Sequence, residues 1–464
     1  PGLDTITGIE LTSATPVVGS FACSDPMANT LYRNVCQTQR ANFIDIPTDC
    51  PQRDERLGWM GDAQIYVRTA SFNTDVAAFF TKWMVDVEDA QLPNGGFSDV
   101  SPRKVAMDGG TAAWGDAGVI CPWTIYQVYG DTQILARHYG AMQKWIDYCK
   151  ETTKGTLLRP ATGYGDWLSI QADTPKDVLA TAYFAHSTKL VADIAKVLGK
   201  PDDAARYQKL FDDIRKAFNT AYVSDDGTIK GDTQTVYVLA LAFDLLPEAM
   251  RRPAAKRLVD NISARQWHLS TGFVGTKDLM ATLNAIGATD VAYHLFHNET
   301  FPSWGFSIQH GATSIWERWD GWTPENGFQD PGMNSFAHYS FGAVGRWMFQ
   351  YVAGIDTDGP GFRQLVLKPH LADGLDWIEA RYASICGEIF SRWWYDDNKT
   401  WHWRMTIPAN TRAVVYVPST QSQKVQVSVG ADFAKFIKYE AGYSVFQAPA
   451  GTYEFTVSGG ERKD

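Results

Sequence analysis

Apolar residues recur at intervals of three and four from about Asp25 to Gly354 and alternate with polar ones after Gly361. The period therefore changes from that of a helix to that of a strand. The stretch TPKDVLATAYFAHSTKLVADIAKVLGK shows the first regime: Thr174 is placed to cap, Pro175 suits the first helical position, Asp177 stands where a capping box puts its acid, and Gly199 offers a stop. Leu179, Tyr183, Leu190, Val191 and Ile194 mark its apolar face. Comparable stretches begin near Ala28, Asp62, Val76, Trp114, Thr132, Pro201, Thr233, Glu248, Lys277, Asp290, Ser307 and Phe336, each followed by Gly, Pro or Asn. Helices in that number, joined by short loops, favour antiparallel neighbours. Two concentric rings of six fit the count, and so does a superhelical stack of hairpins, although no fixed-period solenoid motif is present.

In WHWRMTI, Trp401, Trp403, Met405 and Ile407 alternate with His402, Arg404 and Thr406, and RAVVYVP, KVQVSV, YSVFQA and GTYEFTV repeat the pattern. With FRQLVLK and WIEARYAS they predict a small antiparallel β-sandwich. The expected organisation is an entry strand or linker over 1–24, with Val17 and Val18 as an apolar hook, a helical domain over 25–357 and the β-domain over 358–464.

Composition narrows the function classes. A net charge of −10, with no basic run, argues against nucleic-acid partners and anionic membrane surfaces. No window of eighteen apolar residues appears, and PGLDTITGIELTSATPVVGSF lacks the charged and apolar regions of a signal peptide. The chain begins at Pro1, so it reads as processed or as a fragment, and its compartment is not legible. Six cysteines (Cys23, Cys36, Cys50, Cys121, Cys149, Cys386) lack C-x-x-C spacing and predict neither a disulfide framework nor a metal site. The 17 Trp, 20 Tyr and 24 Phe suit a sugar-binding cleft or, more plainly, a large core.

Residues 49–62, DCPQRDERLGWMGD, hold six charges (Asp49, Arg53, Asp54, Glu55, Arg56, Asp62) interleaved with Cys50, Pro51, Leu57, Trp59 and Met60. A solvated loop seldom spends such apolar residues, whereas a half-buried pocket wall does. Asp54 and Glu55 are neighbours and point different ways in any regular backbone, so only one enters the pocket. A second cluster, SWGFSIQHGATSIWERWDGW and the segment after it, gathers Trp304, Trp316, Trp319, Trp322, Glu317, Asp320, His310 and His338. If Glu317 is buried, desolvation raises its pKa and Arg318 lowers it. Trp114 with Asp116, and Tyr164 with Asp166 and Trp167, again pair an acid with a ring, as a pyranose requires. No His-x-x-x-His, G-x-S-x-G, G-x-G-x-x-G or Walker loop occurs, so metal, serine-hydrolase and nucleotide-cofactor chemistry find no support and no cofactor is expected. Two-carboxylate chemistry remains.

DCPQRDERLGWMGDAQ, AAWGDAGVICPW, GYGDWL, GATSIWERWDGW and SFAHYSFGAVGRWMF closely resemble, in order, segments of the α-L-rhamnosidases of glycoside hydrolase family 78. The resemblance implies an (α/α)6 barrel followed by a small β-sandwich, and an inverting, exo-acting hydrolase releasing terminal α-L-rhamnose from glycans or glycosides. Carried over, Glu55 is the general acid and Glu317 the general base. Asp49, Arg53, Trp59 and Asp62 match residues that hold the rhamnose; Trp114, Asp116, Asp166, Trp167, Trp319 and His338 fall in segments about the same pocket. The acid is expected to be kept protonated by burial and by Asp49 and Asp62, and the carboxyls to lie about 6.5–9.5 Å apart. Apolar side chains receiving the 6-methyl group select against a sugar with a 6-hydroxyl. Met60 stands where the resemblance leads one to expect a small or polar residue and predicts a change in pocket depth. Family members usually carry β-modules before the barrel, which this chain enters within about 25 residues. The alternatives are another (α/α)6 enzyme, a polysaccharide lyase or unsaturated-uronide hydrolase, and a non-catalytic sugar-binding protein.

Overall fold

The computed structural model describes residues 2–458 apart from positions 3, 4, 6, 10, 106 and 422. Among them are thirteen α-helices: α1 (Pro26–Asn42), α2 (Met60–Asn73), α3 (Ala77–Asp89), α4 (Ala117–Tyr129), α5 (Thr132–Thr152), α6 (Lys176–Val197), α7 (Pro201–Tyr222), α8 (Gln234–Ala242), α9 (Glu248–Ala264), α10 (Phe273–Ala285), α11 (Thr289–His297), α12 (Trp304–Gln309) and α13 (Val344–Trp347). Helix α2 packs on α4, α4 on α6, α6 on α8, α8 on α10, α10 on α13, and α13 back on α2, closing a ring. Helices α2, α6 and α8 are buried along most of their length, whereas α7 and α9 bury a single stripe. Apolar side chains all round mark an inner helix, and an amphipathic stripe marks an outer one.

Most expected helix starts lie within three or four residues of the observed ones, but their chemistry differs. Helix α6 begins after Pro175, which occupies the cap position without a side-chain bond. Thr174 does not cap; its hydroxyl meets that of Thr233 at 2.8 Å, and Thr233 caps α8. The stretch from Phe336 turns helical only at Ser340 and changes type along its length, from a 3-10 turn, Ser340–Ala343, through the four residues of α13 to a π-helical segment, Met348–Val352. The connections are not uniformly short: segments 43–59, 90–116, 153–175 and 310–339 precede α2, α4, α6 and α13. Long ordered connections are where binding residues concentrate.

Among the described residues, eight C-terminal strands and one N-terminal strand form a nine-stranded sheet. WHWRMTI and RAVVYVP are two halves of one strand, Trp401–Pro418, and YSVFQA and GTYEFTV two halves of another, Tyr443–Ser458. The two strands pair antiparallel with a register break between Ile407 and Arg412, where Asn410 has φ 60°, so a bulge bends a continuous strand where the sequence suggests a turn. The first half of Trp401–Pro418 pairs with Gly387–Tyr395, and the second half runs parallel to Gln364–Leu367, an exception to the antiparallel expectation. The N-terminal strand Gly19–Cys23 pairs with Trp377–Ser384, so the chain enters through the sheet that it later completes. Of the expected hook, Val18 packs against the core while Val17 is exposed. All six cysteines are free thiols, and no helix among the described residues is long and apolar enough to cross a membrane.

Candidate active site

The N-terminal ends of the inner helices and the segments preceding them converge on a cavity of about 200 Å³, below the ~300–1,000 Å³ typical of drug-sized ligands. Asp49, Arg53, Glu55, Trp59, Asp62, Trp114, Trp167, Glu317 and His338 line it, together with Tyr164, Phe273 and Met333.

The 48–59 segment is closed on itself. Asp49 N donates to Leu57 O at 3.0 Å, and Leu57 N donates to the Asp49 carboxylate at 2.9 Å. Arg53 and Glu55 lie on the tip between them. Arg53 donates to Glu55 Oε2 through Nε at 2.7 Å, and to Glu317 through Nη1 at 3.0 Å and Nη2 at 3.4 Å. One guanidinium thus joins Glu55 to Glu317, which lies 264 residues along the chain from Arg53, and it also stands 3.6 Å from the Asp49 carboxylate. Burial works against the charge of Arg53, but the hydrogen bond and charge of Glu317, with that of Glu55, raise its pKa further above the ordinary range. Glu55 Oε1 also accepts from Trp59 Nε1 at 2.7 Å. The Glu55 side chain is 26% exposed and that of Glu317 3%, so the first stands at the mouth and the second on the floor. Arg318, expected to act on Glu317, pairs with Asp320 instead at 3.0 Å.

The aromatic wall centres on Tyr164, whose ring contacts Trp59, Trp114 and Trp167 at 5.7, 4.7 and 5.9 Å between centroids. Its hydroxyl donates to Asp99 at 3.1 Å. Gly61, in the first turn of α2, lets the Trp114 indole lie against the helix, since a Cβ there would come within 2.5 Å of the ring. Met60 is fully buried and absent from the lining, so the expected change in pocket depth has no basis in its position.

Protons sit on unexpected acids. Burial, then the charge of Glu55, pushes the pKa of Asp49 up to about 7. Burial, then the charge of Asp49, raises that of Asp62 well above the carboxylate range. Burial lowers His338 to about 4, leaving a neutral imidazole whose Nε2 lies 3.1 Å from Asp62. Asp49 and Asp62, expected to lend charge to Glu55, are themselves pushed toward the protonated form by burial and by neighbouring carboxylate charge. His338 Nδ1 is buried without a hydrogen-bond partner, the condition of a group that awaits a ligand's hydroxyl, while Asp49 Oδ2 faces the Arg53 guanidinium at 3.6 Å. Asp49, Cys50 and Glu55 place ligand atoms within 4.8 Å of one another. However, the guanidinium beside them and the raised pKa of the buried Cys50 thiol make a poor cation site.

Three expected residues lie outside the lining. Asp116 is buried behind it, accepting from Ala113 N, Trp145 Nε1 and Ser187 Oγ at 2.7, 3.0 and 2.6 Å. Asp166 accepts from Thr235 Oγ1 and from Gly272 N and Gly275 N at the start of α10. Trp319 donates to Thr271 O at 2.9 Å and stacks on Phe341. Each has its polar atoms satisfied within the fold. Tyr164, expected to pair a ring with Asp166, lines the cavity while that acid does not. Of the residues missed, Phe273, at the start of α10, and Met333, in the 3-10 turn Pro331–Met333, carried no local signal.

Residues 16–352 match the profile of the bacterial alpha-L-rhamnosidase 6 hairpin glycosidase domain, and residues 354–432 that of the bacterial alpha-L-rhamnosidase C-terminal domain. The chain belongs to the bacterial α-L-rhamnosidase family. The resemblance read from the motifs thus holds along the chain. An alpha-L-rhamnosidase of Streptomyces avermitilis is 47% identical over 459 residues, 98% of this chain and 44% of that protein. One of Formosa agariphila is 39% identical over 94% of this chain and 48% of its own length. The crystal structure of the Streptomyces avermitilis rhamnosidase complexed with L-rhamnose superposes with a TM-score of 0.93 at 46% identity, over 96% of this chain and 43% of that one. That of native rhamnosidase from Aspergillus terreus gives 0.88 at 33%, over 97% and 51%. The chain spans about half the length of these rhamnosidases.

The raised pKa of Asp49 has a measurable consequence. An acid whose folded pKa exceeds its unfolded one contributes fully below the ordinary carboxylate range, and the contribution is lost as pH rises toward the folded value. Asp49→Asn, which stays neutral, is therefore expected to match wild type in melting temperature near pH 4 and to exceed it from pH 7 upward. Parallel melting curves that keep the same offset at every pH would contradict the shift.

Proposed function

We propose that this chain is the catalytic part of an inverting, exo-acting α-L-rhamnosidase, with an (α/α)6 barrel over about 25–357 and a β-sandwich after it, and with Glu55 as general acid and Glu317 as general base. One observation carries the reading: both glutamates grip the Arg53 guanidinium at a cavity sized for one sugar and walled by indoles. The closed ring of six helices supports the barrel. In an exo-acting enzyme the leaving group points to solvent, so the acid belongs at the mouth and the base, with its water, on the floor; the exposures of Glu55 and Glu317 follow that order.

Water attacks the anomeric carbon from the side opposite the leaving oxygen. Glu317 takes the water's proton as the C–O bond breaks, and Glu55 gives its proton to the departing oxygen. Substrate entry releases Glu55 from Arg53 and Trp59, which the mouth position permits, while Arg53 keeps Glu317 in place. Asp49, Asp62 and His338 receive the hydroxyls of the ring. The 6-methyl group meets the aromatic wall, where the Tyr164 hydroxyl already donates its proton to Asp99 and has none to give a 6-hydroxyl. Asp116, Asp166 and Trp319 hold the wall from behind without touching the sugar.

The test is to follow hydrolysis of an aryl α-L-rhamnoside by NMR. β-L-Rhamnose is expected as the first-formed anomer. The α-anomer first would remove inversion, and no release of rhamnose would remove the activity.

A further inference from the structure

Beside the mouth of the catalytic cavity lies a second pit of about 620 Å³, large enough for a ligand bigger than one sugar. The two share Arg53, the residue that donates to Glu55. They also share a rim, because Met333 lines the cavity and Pro331, in the same 3-10 turn, lines the pit. The pit's apolar wall is a tier of rings. Phe328 stands edge-on to Phe336 at 5.7 Å, and Phe336 edge-on to the buried Trp316 at 5.0 Å. The short hairpin of Trp322–Thr323 and Gly327–Phe328 carries the outer ring, which is 74% exposed. A large ring held on a packed base but left in water beside a catalytic mouth is a surface shaped for a ligand. Another pit near Trp167, lined by Leu168, Arg318, Asp320 and Glu325, shares no residue with the cavity.

We propose that the Phe328 pit receives the leaving group, and that Phe328 selects for a flat aromatic one. The proposal rests on the rhamnosidase reading of the adjoining cavity: the glycosidic oxygen must meet Glu55, and Arg53, which donates to Glu55, also lines the pit. Ring-on-ring contact supplies the preference, since Phe328 leaves most of its ring exposed to an aglycone while it packs on Phe336, and Phe336 on Trp316.

The experiment measures kcat/KM of wild type and Phe328→Ala on 2-naphthyl α-L-rhamnoside, methyl α-L-rhamnoside and a rhamnosyl-glucose disaccharide. Phe328 is exposed, so the variant should fold as wild type does. The expected result is a roughly tenfold loss on the naphthyl substrate, carried by KM, with the methyl glycoside unchanged and activity restored by Phe328→Trp. Equal effects on naphthyl and methyl substrates, or none, would overturn the proposal while the rhamnosidase reading stands. A disaccharide affected as much as the naphthyl substrate would overturn the aromatic preference in favour of a sugar. Wild type that cleaves none of the three would remove the reading beneath it as well.

Discussion

Glu317→Gln and Glu55→Gln are each expected to lower turnover of an unactivated α-L-rhamnoside by about 10²–10⁴-fold, the usual worth of a positioned acid or base, with unchanged circular dichroism. The two losses separate by chemistry. A leaving group that departs without protonation removes the need for an acid, so an aryl rhamnoside of a strongly acidic phenol should recover much of the Glu55→Gln activity and none of the Glu317→Gln activity. Azide needs no base, so it should restore Glu317→Gln and give the β-configured rhamnosyl azide. Recovery of Glu317→Gln by the acidic phenol and of Glu55→Gln by azide would exchange the two roles. Burial already argues against that exchange, since a leaving group cannot depart through the floor on which Glu317 sits at 3% exposure.

Both glutamates were legible because the sequence places each among apolar residues that a solvated loop does not spend. What it could not show is the cation between them: Arg318 stands next to Glu317 in sequence, yet Arg53 from the far segment makes the bond. The geometry that separates neighbours explains most of what was misplaced. Adjacent residues point apart, so only one of Asp54 and Glu55 lines the cavity, and it is Glu55, the one that the family resemblance and not the rule had singled out. Applied to Gly-Asp-Trp, it sends Trp167 into the cavity and Asp166 back into the wall, so an acid beside a ring is not evidence that both face the sugar. Helix existence followed from periodicity, but the long connections before α2, α4, α6 and α13 have no period, and they hold much of the site. In the β-domain, alternation identified most strand segments but missed Ile355–Thr357, Gly387–Tyr395 and Lys435–Glu440, and the bulge near Asn410 was indistinguishable from a turn because both break the alternation.

Asp166 carries the second large effect, on stability. The cap residue of α10 is Gly272, which has no side chain to satisfy the helix's first N–H groups. Asp166, 106 positions earlier, does so from outside, accepting from Gly272 N at 2.8 Å and Gly275 N at 3.0 Å, and from the Thr235 hydroxyl of α8. Burial raises its pKa and the Thr235 hydroxyl, with the backbone donors, opposes that rise. Asp166→Ala leaves three buried donors without an acceptor at ~1–3 kcal/mol each, less than additively because they share one site, so a loss of about 3–5 kcal/mol is expected in chemical unfolding. Asp166→Asn keeps one acceptor but turns an amide N–H toward a backbone N–H, and should fall between alanine and wild type. Because Trp167 O accepts from Phe273 N at 2.9 Å in the same junction, the alanine variant should also raise KM for any rhamnoside by loosening two cavity walls together. If Asp166→Ala unfolds at the wild-type denaturant concentration, the carboxylate is not what joins the 153–175 segment to α10, and the cavity wall is held by packing alone.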